Sequence, residues 1–174
     1  GDNVNGKWAE AGGGGSGFPQ ILPKLCGLDD TDTGSSRGKA FDMIETINFA
    51  PSADGAIWFT MHFPSNLDAD TDISLDMVYN LDSSDDGTTV TIQTEYWVTD
   101  TGETPDSSTP TGTNSDDIST GTGEENSRRI VSLSPIPASD LTLGTTITLK
   151  LTRLGSSDDY SGKLQMLYLF PNQL

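Results

Sequence analysis

Histidine and cysteine are nearly absent from this chain: His62 and Cys26 are the only ones among 174 residues. A transition-metal centre needs several imidazole or thiolate ligands, so one of each argues against such a site. A lone Cys26 also excludes an intrachain disulfide. Positive charge is scarce, with 9 Lys and Arg against 26 Asp and Glu and a net charge of −17. Phosphate recognition needs Lys and Arg to displace counterions, so neither nucleic acid nor an anionic membrane surface suits this composition. No apolar run approaches the roughly 20 residues of a membrane-spanning helix, and no long amphipathic helix is visible. Hydrophobic residues make up only 33% of the chain, but they cluster in runs. That supports one domain with a modest core rather than disorder throughout. The acid surplus is expected in hydrated loops that keep molecules apart; a surface adapted to high salt or loops that hold divalent cations are the other readings.

Two regions are predicted. Residues 1–40 read as an irregular N-terminal arm. Gly12 to Gly15 followed by Ser16-Gly17 is a flexible hinge, because glycine has no preferred backbone basin. The apolar stretch Phe18 to Cys26 is broken by Pro19 and Pro23, so it suits an extended segment. That segment would lay Phe18, Ile21, Leu22 and Leu25 onto the domain's own flank or onto a neighbouring subunit. Residues 41–174 read as one β-domain. Strands are predicted over Phe41–Phe49, Ala56–Phe63, Ile73–Tyr79, Thr88–Val98, Arg128–Leu133, Thr145–Leu154 and Lys163–Phe170, from alternation and β-branched or aromatic content. A short eighth strand is expected near Ile118. Thr99 to Ser127 reads as a long polar loop, and Pro135 to Leu141 as a connector with one helical turn. The class is all-β, a two-sheet sandwich.

Each motif carries a functional reading and a plainer one. Gly34-Ser35-Ser36-Arg37-Gly38 matches the G-x-S-x-G nucleophile pattern, which works only as a strand-to-helix elbow with a following acid and histidine; a linker fits better. Gly38-Lys39-Ala40 lacks the Ser or Thr of a phosphate-binding loop. Asp68, Asp70 and Asp72 open with calcium-loop spacing, but Ile73 stands in place of the glycine and Tyr79 in place of the terminal glutamate. Solvated turns are favoured there, with calcium at these acids, or at Asp82, Asp85 and Asp86, as the lesser candidate. Glycoside hydrolysis needs two facing carboxylates; Glu45 and Glu95 are the in-strand pair to inspect, although cross-strand pairing with Lys or Arg is the commoner reason for such residues. Trp58, Tyr96 and Trp97 read either as core and interface or as a sugar-stacking platform. Arg128-Arg129 is a basic spot suited to an acidic neighbour.

Asp42 to Phe170 resembles small jelly-roll proteins found in tailed-phage and marine viral sequences. The likeness rests on Ala56-Ile57-Trp58-Phe59 leading to Phe63-Pro64-Ser65, then on Ile73 to Tyr79 and Val90 to Tyr96. It continues through Leu143-Gly144-Thr145-Thr146-Ile147 and Leu149 to Arg153, and closes with Gly162-Lys163-Leu164. The resemblance implies an eight-stranded jelly-roll β-sandwich serving in a virion as a capsid decoration (cement) or head-fibre protein. Such a protein is not an enzyme, forms a homotrimer and contacts a major capsid protein. Phe18, Ile21, Leu22 and Leu25 would anchor the arm, and Trp58 and Trp97 would lie in the core or an interface. No catalytic residue and no cofactor is expected beyond the calcium candidates. The alternative is a carbohydrate-binding β-sandwich module, on a fibre tip or in an exported protein, reading sugars through Trp97 and Tyr96; a glycan-cleaving enzyme using Glu45 or Glu95 ranks third.

Overall fold

The computed structural model describes residues 26–28, 33–40, 43–63, 68, 70–83, 87–100, 102–103, 108–121, 123 and 125–173. The expected arm anchors Phe18, Ile21, Leu22 and Leu25 lie outside the described residues, as do Asp85 and Asp86. Ten strands run in chain order: β1 Gly27–Leu28, β2 Ser35–Ala40, β3 Ile44–Phe49, β4 Asp54–His62, β5 Ile73–Leu81, β6 Thr89–Thr99, β7 Gly112–Ser119, β8 Arg129–Ile136, β9 Thr146–Leu154 and β10 Leu164–Gln173. They form two five-stranded sheets, ordered β1-β4-β9-β6-β7 and β2-β3-β10-β5-β8. Every strand pair in them is antiparallel. The first is called here the β6 sheet and the second the β5 sheet.

The predicted jelly-roll β-sandwich is therefore present, with β3 to β10 matching its eight strands. Two differences stand out. Residues 27–28 and 35–40, expected within an irregular arm, form β1 and β2 at the sheet edges. The short eighth strand expected near Ile118 runs longer than predicted: Gly112–Ser119, within the expected 99–127 loop, forms an eight-residue strand paired with β6. Its sequence, GTNSDDIS, has one apolar residue, so the hydrophobic alternation that marks other strands is missing. Side-chain polar groups replace it. Asp116 accepts the Ser134 backbone N–H at 3.0 Å and the Ser134 hydroxyl at 2.6 Å, while Asn114 Nδ2 donates to the carbonyls of Ser134 and Pro135. These bonds close the gap between β7 of one sheet and β8 of the other.

The opposite side is closed by backbone proximity. A Cβ on Gly34 would lie 2.3 Å from the Asp54 carbonyl oxygen, so only glycine permits β2 and β4 to approach there. Ser35 Oγ then donates to Ala56 O, and Arg37 Nη2 to Cys26 O at 2.9 Å. Between the sheets, alternate residues of β3 to β10 form one apolar core that includes Ile57, Phe59, Leu75, Met77, Ile92, Leu149 and Leu169. Burial of this surface is the main stabilising term.

Arg153 of β9 is fully buried. Its Nε and Nη2 form a bidentate pair with Asp158 at 2.7 and 2.8 Å. Its remaining N–H groups reach the carbonyls of Phe49, Gly162 and Tyr160. All five guanidinium donors are thus used, which is the condition under which a buried charge is tolerated. Several acids outside this pair are tied to backbone rather than loosely hydrated. Asp159 accepts from Thr89 N, Asp82 from Lys163 N, Asp54 from Ser156 N and Asp72 from Ala138 N. The last bond holds the 3-10 turn Ala138–Asp140, in the connector where one helical turn was predicted.

Candidate functional site

Each sheet of a sandwich has one face in the core and one facing outward, and the two outward faces differ in chemistry. On the β6 sheet, Trp58 of β4 lies opposite Lys150 of β9, which lies opposite Glu95 of β6. One row along, Thr60, Thr148 and Trp97 line up across the same three strands. The two indoles span β9 and meet with centroids 5.2 Å apart at an interplanar angle of 31°. Lys150 Nζ stands 5.4 Å from the centre of the Trp58 ring and 3.2 Å from Glu95 Oε2. Trp97 is only 9% exposed, and its Nε1 is buried with no hydrogen-bond partner among the described residues. These rings already stack on each other and on an ammonium, so little ring surface is left for a ligand.

Tyr96 does not join that cluster. Neighbours along a strand point to opposite faces, and Tyr96 is buried in the core, where its hydroxyl donates to Asp140 Oδ2 at 2.6 Å. Burial first, and then the hydrogen bond and charge of Asp140, raise its ionisation well above the ordinary tyrosine range. A Cβ on Gly112 would fall 2.1 Å from the Tyr96 hydroxyl oxygen, so β7 carries glycine where the ring passes.

The outer face of the β5 sheet is built differently. Ile73, Leu75, Met77, Tyr79 and Leu81 of β5 face the core, which turns Ser74, Asp76, Val78 and Asn80 to the other side, where all but Asp76 are still buried. Strand β10 carries a bulge between Met166 and Tyr168. The extra residue reverses the alternation, so Tyr168 pairs with Val78 and Phe170 with Asp76 on the outer side. The two rings pack edge to face, 4.8 Å between centroids, and both are half-buried. Ile130, 59% exposed, continues the Tyr168–Val78 row onto β8.

Hydrogen-bonding groups flank this apolar strip. On one side, Asp76 Oδ1 accepts from the Ser132 hydroxyl at 2.7 Å and Oδ2 from Asn172 Nδ2 at 3.0 Å. On the other, Asn48, Gln165 and Asn80 stand opposite one another on β3, β10 and β5. Asn80 Nδ2 donates to Gln165 Oε1 at 2.6 Å, while Asn80 Oδ1 is buried without a partner among the described residues. Aromatic and apolar floor with fixed carboxamide and carboxylate groups at its margins is the chemistry that holds an uncharged polar ligand.

The remaining predicted residues do not converge. Glu45 is exposed on β3, opposite Lys39, and Glu95 sits on the other sheet in its pair with Lys150, so the two cannot flank one bond. Asp68 accepts from Asp70 N and Thr71 Oγ1, whereas Asp72 is committed to Ala138 N. No group of three or more potential metal ligands occurs among the described residues. Gly34 to Gly38 enters strand β2 rather than an elbow. Arg129 begins β8 opposite Tyr79.

No family model and no curated protein matches this chain. Several solved structures share its sandwich architecture. One is the CBM36-1 domain of a multidomain xylanase from the hindgut metagenome of Trinervitermes trinervoides, 11% identical, with a TM-score of 0.49 and coverage of 88% of this chain and 95% of that one. Another is the carbohydrate-binding module CBM36 in complex with calcium and xylotriose, 14% identical, with a TM-score of 0.49 and coverage of 89% and 100%. A third is a family 35 carbohydrate-binding module from Clostridium thermocellum, 13% identical, with a TM-score of 0.41 and coverage of 87% and 96%. These likenesses concern the fold. All three are carbohydrate-binding modules and none is a virion protein, so the expected virion structural role finds no support in them and is not retained.

Proposed function

We propose that this protein is a non-catalytic glycan-binding module whose binding face is the outer surface of the β5 sheet. One observation carries the reading: outward Tyr168 lies between the carboxamide row Asn48–Gln165–Asn80 and the row in which Phe170 pairs with the anchored carboxylate Asp76. Sugars present apolar C–H faces and a rim of hydroxyls, so aromatic stacking combined with fixed hydrogen-bonding groups suits them. The carbohydrate-binding alternative read from the sequence is retained, but its site moves from Trp97 and Tyr96 to the opposite sheet. Phosphate ligands do not suit this face, since the charge given to it by the residues named is that of Asp76.

The test is affinity electrophoresis through gels cast with a panel of soluble plant and microbial polysaccharides. The wild-type chain is expected to be retarded by at least one neutral polysaccharide. Tyr168→Ala and Phe170→Ala should each lower that affinity at least tenfold, about 1.4 kcal/mol, with little change in melting temperature. A wild-type chain that migrates freely through every gel would sink the reading, as would full retention by both variants.

A further inference from the structure

The polar groups on the outer edge of β5 are spaced for more than one sugar ring. Asp76, Val78 and Asn80 occupy alternate positions of one strand on one face, so the Cα atoms of Asp76 and Asn80 stand roughly 13–14 Å apart at a strand rise of about 3.4 Å per residue. Val78 lies midway and is fully buried, so the floor there is formed by its row neighbours Tyr168 and Ile130. The hydrogen-bonding ends of this strip are therefore separated by an apolar floor. A carboxylate offers about four lone-pair positions, and Ser132 and Asn172 fill one on each oxygen of Asp76, leaving capacity for a ligand hydroxyl. Asn80 Oδ1 is a buried acceptor with no partner among the described residues, a state that costs stability until a donor reaches it. Gln165, half-buried and bonded to the same amide, is the side chain whose rotation admits that donor.

We propose that this strip takes an internal stretch of an uncharged glycan chain, with two or more pyranose rings laid along β5. One ring rests over Tyr168 and Ile130, and hydroxyls of its neighbours reach Asp76 and, once Gln165 turns aside, Asn80. The inference rests on the glycan-binding reading above and adds chain length, direction and charge to it. A single ring reaches only one polar end. An acidic sugar meets Asp76 on the face and a chain of net charge −17 behind it, so anionic chains are disfavoured.

Isothermal titration of the full chain with graded neutral series tests this: the monosaccharide through hexasaccharide of the xylose, glucose, mannose and galactose β-1,4-linked chains, plus an oligogalacturonate as the anionic probe. In the series that binds, the monosaccharide should give no measurable heat and affinity should rise at least tenfold from disaccharide to hexasaccharide. Asp76→Asn and Asn80→Ala should each weaken hexasaccharide binding about tenfold. Because Asn80 is buried, circular dichroism accompanies its variant, and Asp76→Asn alone carries the test if Asn80→Ala unfolds. A monosaccharide that binds as tightly as its hexasaccharide, or an oligogalacturonate that binds more tightly than the neutral chains, overturns this inference while leaving glycan binding intact. Silence from every sugar overturns both.

Discussion

The outer face of the β6 sheet carries Trp58 and Trp97, yet their rings are spent on each other and on Lys150. Among the described residues the outer face of the β5 sheet has no tryptophan, and its smaller rings, Tyr168 and Phe170, lie beside polar groups whose capacity is not exhausted. Aromatic content alone would rank these faces the wrong way round. What separates them is how much of each ring is already committed within the fold. On that measure the β6 face is a packed cap over its own sheet, while the β5 face is the one proposed to take a ligand.

The largest effect tests the scaffold that the faces share. Arg153→Ala leaves Asp158 and three carbonyls without their partner, so urea unfolding should show a loss of about 3–5 kcal/mol and binding should fall only as the folded fraction falls. Loss of binding with stability preserved would mean that Arg153 serves a face rather than the interior. Next comes Trp97→Ala, a truncation of a nearly buried indole, expected to cost about 3 kcal/mol with glycan affinity unchanged in the folded fraction. The reverse pattern, affinity lost and stability kept, would place the ligand on the β6 face.

A pH titration probes the edge of the β6 sheet, where Cys26 precedes β1. Burial pushes its thiol from 9.0 up to about 11, with Arg37 opposing. The folded chain thus holds this proton where the unfolded chain has released it. Stability from this group is complete below pH 9 and is lost as pH rises towards 11, roughly 3 kcal/mol in all. Tyr96 shifts the same way from 10.0. The melting temperature of the wild-type chain should therefore begin to fall near pH 9, and that of Cys26→Ala about one unit later. Identical profiles would show that the thiol is not sealed at this edge.

Much of the fold could be read from the sequence. Alternation in ISLDMVY locates most of β5 and its Asp76 and Val78 on the side away from the core, and the adjacency of Tyr96 and Trp97 already requires them to face opposite ways. The candidate site was harder to see for a specific reason. Strict alternation from Leu164 and Met166 sends Tyr168 and Phe170 inward, and only the bulge after Met166 turns them out. Nothing in KLQMLYLF announces that bulge; it emerges from pairing with β5. Strand β7 was obscured for a different reason: its inward positions are Asn114 and Asp116, which hold β8 by hydrogen bonds instead of apolar contact.

The smallest expected effect is the sharpest test of the comparison. Lys150→Met removes both the ion pair with Glu95 and the ammonium over Trp58, yet keeps a stem that covers the ring. The pair is partly exposed, with side-chain exposures of 27% and 21%, and such pairs contribute about 0–1 kcal/mol. Stability should therefore change by less than about 1 kcal/mol, and the difference between wild type and variant should shrink further in high salt. Glycan affinity should change less than twofold, because the cap over Trp58 is not part of the ligand's path. A gain in affinity after the ammonium is removed would mean that the indole beneath it had been waiting for a ligand. The β6 face would then be a second, self-covered binding surface rather than a closed one.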